Sequence, residues 1–211
     1  MKFCQKHRIH LISDEIYGLS VFESNEPGTV PFTSILSINP EGLIDPDLLH
    51  VIYGMAKAYG CPGLRLGALI THSRPMLKAV RSVARFHNTS GLSVAAAITM
   101  LEDHDWCRTF IAQMRQSLGA AHKFVTSGLR EIGVDYLLGS NAGRYVWIDL
   151  SAYLPPGYSG LSDHEREMKL GDRLLKGDTL LQPLEEHAWR PGWFRLVYTD
   201  QPEVIREGLR R

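Results

Sequence analysis

Asp14 closes the apolar run in "HLISDEIY", and Tyr17 follows it by three residues. Further along, Lys57 opens "KAYGCPGLRLG", where Gly60, Gly63, Arg65 and Gly67 stand among apolar residues. A lysine just past a strand is a candidate for imine (Schiff-base) chemistry. Glycines let the backbone pass close to a bound group, and an arginine supplies a rigid cationic fork suited to phosphate. A carboxylate buried at a strand end is costly unless it meets a cation. Each feature alone has a plain explanation: a solvated lysine, an ordinary turn, a helix cap.

Together they fit one task. A pyridoxal phosphate ring needs an amine for its aldehyde and a carboxylate facing its pyridinium nitrogen, so that the ring can act as an electron sink. It also needs a hydroxyl facing its phenolic oxygen, and a cation with N–H groups for its phosphate. Lys57, Asp14, Tyr17 and Arg65 supply these types, with Asp14 expected as the buried partner of the ring cation.

These residues must be carried by a sheet. "IHLIS" (9–13), "LLHVIYGMA" (48–56) and "GLRLGALITH" (63–72) read as short buried strands with long connections, which predicts a parallel or mixed α/β sheet. Residues 1–10 read as the tail of a helix and residues 23–47 as a loop rich in Pro, Gly, Asn and Ser. Ser73 with Pro75 marks a helix start. Helical periodicity continues over 90–103 and 105–133, the latter ending on Gly133 in the C′ position. "VDYLLGSNAGRYVWIDL" (134–150) predicts a β-hairpin about Asn141, Ala142 and Gly143. A helix in "HEREMKLGDRLLKG", a strand in "GWFRLVYTD" and a closing helix complete the chain. A boundary near residue 90 divides a sheet-bearing part, 1–90, from an α+β part, 91–211.

Composition narrows the class. The 211 residues carry 23 basic and 23 acidic side chains, so no polyanion partner is indicated and nucleic acid is not expected. No stretch approaches the roughly 18 apolar residues that span a bilayer. Cys4, Cys61 and Cys107 lack metal or disulfide spacing and predict reduced thiols in the cytoplasm. His7, His10, His50, His72 and His87 show no ligand spacing, and no metal is expected.

Four segments in order carry a family resemblance: "SDEIY" (13–17), "AKAYGCPGLRLG" (56–67), "SNAGRYVWIDL" (140–150) and "PGWFRLVY" (191–198). The sequence resembles the fold type I pyridoxal-phosphate enzymes of aminotransferase class I/II, closest to the branch of the 1-aminocyclopropane-1-carboxylate synthases. The resemblance implies the C-terminal part of a three-layer α/β/α large domain, its sheet incomplete, followed by an α+β small domain. It implies Lys57 as the Schiff-base lysine, Asp14 as the pyridinium partner, Tyr17 as donor to the phenolic oxygen and Arg65 as a phosphate ligand. It further implies Arg195 as the clamp on a substrate carboxylate, with Asn141 beside it or simply forming a turn. A small amino acid is the implied substrate and a homodimer the implied assembly.

The departures matter as much. The family usually has a serine three residues before the lysine; here Gly54 stands there, and one phosphate contact worth about 1 kcal/mol is expected to be lost. A family Pro-Gly turn reads Pro183-Leu184. Family members are longer, and the resemblance begins only a few residues before Asp14, so the strands should show an open edge and uncovered apolar faces. Aminotransferase-like chemistry is the favoured expectation. Synthase or carbon–sulfur lyase chemistry, and a non-catalytic module that docks on a homologue, stand as alternatives.

Overall fold

The computed structural model describes residues 1–157, 160–182 and 190–211. Contacts group the chain into two compact units: Met1–Val21 with Pro31–Arg115, and Phe22–Val30 with Gln116–Arg211. The division falls inside one long helix, and a short piece of the N-terminal loop belongs to the second unit.

In the first unit, α1 (Lys2–His7) precedes a mixed sheet of β1 (Leu11–Asp14), β2 (Leu49–Gly54) and β3 (Gly67–Thr71), in the order β1-β2-β3. β1 runs parallel to β2, with Asp14 opposite Ile52; β2 and β3 are antiparallel, with Gly54 opposite Gly67. β3 starts later than residue 63 because Pro62–Leu64 form a 3-10 turn and Arg65 caps it in the left-handed region (φ 51°). Ile12, Ile52 and Ile70 on these strands remain exposed. Helix α2 (Arg74–Ala84) starts at Ser73, whose hydroxyl accepts the Met76 N–H at 3.3 Å, with proline in the first turn as expected. Next come α3 (Gly91–Glu102) and α4 (His104–Glu131). Met55, Ala58, Tyr59 and Ala97 form the buried core here, with Phe110 and Met114 of α4 packed against it.

β2 also carries His50, which is fully buried. Its Nε2 lies 2.8 Å from His10 Nδ1 and its Nδ1 2.7 Å from Thr71 Oγ1, so one imidazole links β2 and β3 to the residue just before β1. Burial, reinforced by the His10 charge and opposed by Asp47, holds His50 below the ordinary histidine value. His122 of α4, buried in the second unit, is shifted the same way by burial, opposed by Glu26 and helped by Arg130. Unfolding returns both rings to an ordinary value near 6.5. Below that pH the unfolded chain takes up protons that the folded chain refuses, so stability is full above it and falls as pH drops through it. The denaturant midpoint is therefore expected to fall between pH 7.5 and 5.5. In His50→Gln the fall should shrink; an unchanged fall would rule out the His50 contribution.

In the second unit, α4 ends on a paired C-terminal motif. Gly133 (φ 72°) donates to Arg130 O at 3.2 Å and Val134 to Leu129 O at 2.9 Å, as the C′ glycine predicts. β4 (Tyr145–Asp149) and β5 (Trp193–Val197) pair antiparallel, with α5 (Asp163–Lys176) between them in sequence and α6 (Pro202–Arg210) at the end. Ser162 and Glu165 form a reciprocal capping box at the start of α5. Val146, Ile148 and Phe194 alternate inward to meet Val125, Leu129, Leu170 and Tyr198 in the core.

The hairpin expected over 134–150 is realised only on its second arm. On the first, Tyr136 makes an isolated antiparallel bridge to Ile148, and Leu137 N–H donates to Trp147 O at 2.8 Å. The chain then leaves the ladder to hold the segment Phe22–Val30. A Cβ on Gly139 would lie 2.6 Å from Gly28 O, so the two glycines let the backbones touch. Glu26 on that segment accepts from Tyr136 at 2.5 Å and from Arg130 at 2.6 Å.

Candidate active site

Asp14, Lys57 and Arg65 sit at one end of the three-stranded sheet. Asp14 is the last residue of β1, Lys57 follows the end of β2 by three residues, and Arg65 precedes β3 by two. Strand ends of open α/β sheets are where such folds place ligands. Tyr17, one turn past Asp14, brings its ring within reach of Lys57: the Nζ lies 5.8 Å from the ring centroid. The loop is held by buried members on either side of the lysine. Met55, Ala58 and Tyr59 are buried, while Lys57 between them is exposed. The anchors fix the backbone and leave the amine free to act.

Asp14 differs from expectation. It is exposed, and its Oδ1 accepts the Ile16 N–H at 3.2 Å. The buried carboxylate is its neighbour Glu15, which accepts from Ser13 Oγ (3.2 Å), Ser34 Oγ (2.6 Å) and the Ile35 N–H (2.8 Å). The strand's last side chain opens toward solvent, and the next one turns inward to tie down the loop. Glu15 thus ties residues 34 and 35 to the end of β1, beside Asp14.

Arg65 is exposed and its Nη1 donates to Pro62 O at 3.2 Å. Its left-handed backbone is uncommon for a non-glycine residue, and such outliers cluster at functional sites. Among the described residues, no carboxylate forms an ion pair with Lys57 or Arg65, and no cation with Asp14.

Gly54 has a reason beyond a missing hydroxyl. A Cβ there would lie 2.9 Å from Leu66 O and 3.5 Å from Gly67 Cα. The β2–β3 pairing brings backbone too close for a side chain. Gly54→Ser is expected to destabilise by about 1–3 kcal/mol, as overpacking does, rather than to gain a phosphate contact. A urea midpoint equal to that of the parent chain would refute this.

Arg195 and Asn141 lie in the second unit. Arg195 of β5 stacks its guanidinium carbon 4.3 Å from the Tyr145 ring centroid, and Nη2 donates to Gln182 Oε1. No carboxylate pairs with it among the described residues, against the plain reading of a strand arginine matched to an acid. Asn141 is drawn into local structure: its amide donates to Val30 O at 3.1 Å and its carbonyl accepts the Phe22 N–H at 2.8 Å. Pro183 and Leu184, where the family turn departs, lie outside the described residues.

Two supports were invisible beforehand. Gly192 (φ 89°) donates its N–H to Glu167 Oε1 at 2.6 Å, and its carbonyl accepts from Leu150 N–H at 2.8 Å. A Cβ on it would fall 2.5 Å from Ser151 Cα. Tyr198 donates its hydroxyl to Gly143 O at 2.5 Å, joining "PGWFRLVY" to "SNAGRY", and burial pushes its phenol up. Glu167 gave no local signal, since its partner is 25 residues away. Tyr145 could have been paired with Arg195 only once the β4–β5 register was known.

The first unit's open mixed sheet and the second unit's two-stranded α+β arrangement are, in part, the fold of the fold type I aminotransferases. The Thermus thermophilus aspartate aminotransferase double mutant superposes with a TM-score of 0.76 at 22% identity, covering 98% of this chain and 48% of that one. The aromatic aminotransferase from Pyrococcus horikoshii gives a TM-score of 0.77 at 20% identity, covering 99% and 51%.

The chain belongs to the family "Aminotransferase class I and II", whose model matches residues 1–211. It is 37% identical to the human 1-aminocyclopropane-1-carboxylate synthase-like protein 1 over 211 residues, 99% of this chain but 40% of that protein. It is 33% identical to the mouse "Probable inactive 1-aminocyclopropane-1-carboxylate synthase-like protein 2", covering 94% and 32%. The 1-aminocyclopropane-1-carboxylate synthase of Glycine max is 29% identical, covering 97% and 41%. The chain thus spans less than half the length of these relatives. Among the described residues no helix is long and apolar enough to cross a membrane.

Proposed function

We propose that this chain forms the C-terminal portion of a pyridoxal-phosphate enzyme acting on amino acids, with aminotransferase-like chemistry. The observation that carries the reading is the gathering of Asp14, Tyr17, Lys57 and Arg65 at one end of one sheet, with the Lys57 amine 5.8 Å from the Tyr17 ring. The residues present fit the cofactor. The amine is exposed, the carboxylate is unpaired by any cation among the described residues, and the arginine keeps most of its N–H groups for an anion. Lys57 would hold the cofactor's aldehyde carbon and move the substrate Cα proton. Asp14 would face the pyridinium nitrogen, Tyr17 the phenolic oxygen and Arg65 the phosphate. When bound, the ring supplies an electron sink for charge developing at Cα. Arg195 would take the substrate carboxylate through a bidentate fork, with Asn141 acting through the turn it builds.

Residues 1–90 on this reading serve the cofactor and 91–211 the small domain; the enzyme is cytoplasmic and homodimeric. On this reading Asp14, Tyr17, Lys57 and Arg65 are this chain's share of the cofactor's contacts, and the chain covers 40% of its human relative. Synthase or carbon–sulfur lyase chemistry uses the same groups, and the names of the relatives favour keeping synthase chemistry in view.

Pyridoxal phosphate added to the folded protein is expected to produce an imine absorbance band that Lys57→Ala abolishes. A band surviving that substitution, or no band from folded protein, would sink the assignment. The similarity to a relative described as inactive supports a second reading, a non-catalytic module. A Lys57-dependent band that no amino acid shifts would decide for it.

A further inference from the structure

The carboxylate clamp has supports of its own. In the β4–β5 ladder Trp147 stands opposite Arg195 and Tyr145 opposite Val197. Tyr145 is thus the diagonal neighbour of Arg195 on the same face, a separation that aromatic and long side chains bridge. The guanidinium carbon lies 4.3 Å from the Tyr145 ring centroid. Tyr145 is itself steadied at its hydroxyl, where Arg144 Nε and Nη2 each donate at 3.2 Å. On the other edge of β5, Gln182 exchanges backbone hydrogen bonds with Arg195, at 3.1 Å and 3.4 Å, and its side-chain oxygen accepts from Arg195 Nη2. An arginine normally free to rotate is thus held at its face and at one N–H, by two groups that carry no charge.

We propose that Tyr145 and Gln182 are positioning residues that pre-set Arg195 for a carboxylate ligand; this rests on the reading of Arg195 as the substrate clamp. The aromatic face attracts the cation and orients its plane. The neutral amide fixes one nitrogen and leaves the positive charge uncompensated. A glutamate at the same place would hold the arginine equally well and compete with the ligand for it. Pre-setting a rotamer-rich side chain raises affinity by removing its ordering cost, a factor of about three to ten.

The test uses the full chain labelled with 15N-arginine and L-alanine as the probe, whose affinity for every variant, Arg195→Lys included, is read by calorimetry. The Arg195 Nε–H signal is assigned by its disappearance in Arg195→Lys. In the parent chain and in Tyr145→Phe, the signal should be displaced upfield by the ring and should shift further with L-alanine. In Tyr145→Leu, the ring displacement should vanish and the probe should bind about three- to tenfold more weakly. Gln182→Glu, at an exposed position that spares the fold, should keep the ring displacement and lose the probe. Parent-like affinity in Tyr145→Leu or Gln182→Glu, with loss in Arg195→Lys, would overturn the positioning role and leave the clamp intact. Equal probe response in the parent chain and Arg195→Lys would overturn the clamp and the proposal together.

Discussion

Gly192→Ala is expected to lower stability by about 2–5 kcal/mol. Two costs add. An L-residue at φ 89° pays about 1–2 kcal/mol for a left-handed backbone. The new methyl would meet Ser151 Cα at 2.5 Å, Cβ at 2.8 Å and N at 2.9 Å, which overpacks by about 1–3 kcal/mol. None of these is the far end of a flexible side chain, so backbone must move. It would move the turn that delivers Phe194 to the core and Arg195 to its place. Gly63→Ala is the control. A Cβ there meets nothing within 4 Å and no positive φ is required, so stability should change by about 0.5 kcal/mol or less. Urea midpoints of the two variants measure the difference; equal losses would refute the argument from close approach.

The second large effect separates two adjacent carboxylates. Glu15→Ala should cost about 3 kcal/mol, because it strands the Ser34 hydroxyl and the Ile35 N–H beside a buried site after removing bonds to a charged acceptor. Asp14→Ala should leave stability within about 0.5 kcal/mol, since the side chain is exposed and accepts one local N–H. The same Asp14→Ala should instead weaken any imine band formed with pyridoxal phosphate. If Asp14→Ala destabilised as much as Glu15→Ala, Asp14 would be a structural residue and its proposed place facing the cofactor would fall.

Elements with strong local signals were legible in the sequence. Ser73 with Pro75, Gly133 after a long amphipathic run, and the alternation in "YVWID" and "WFRLV" each rest on nearest-neighbour chemistry, and each became the expected element. What escaped depends on partners distant in sequence. The first arm of 134–138 alternates well enough for a strand. It leaves the ladder because Gly139 and Asn141 are needed by residues 22–30. The strand-end position points to Asp14 as the buried acid; Ser34 and Ile35, some twenty residues on, bury Glu15 instead. Gly54 reads as a lost hydroxyl until β2 is laid against β3. For the candidate site, residue types and order were readable, whereas the supports from Tyr145, Gln182 and Glu167 required the register.

The allotment of residues 22–30 bears on how the protein can be dissected in the laboratory. A recombinant piece starting at Gln116 would contain α5, α6 and the β4–β5 pair, yet it would lack Phe22 from the core and Glu26 from beside Arg130 and Tyr136. Asn141 would lose both of the backbone groups it binds. No single cut point yields a second unit with its interior filled. A soluble subclone must carry the nine-residue loop piece as well, joined through a designed linker or supplied as a separate peptide.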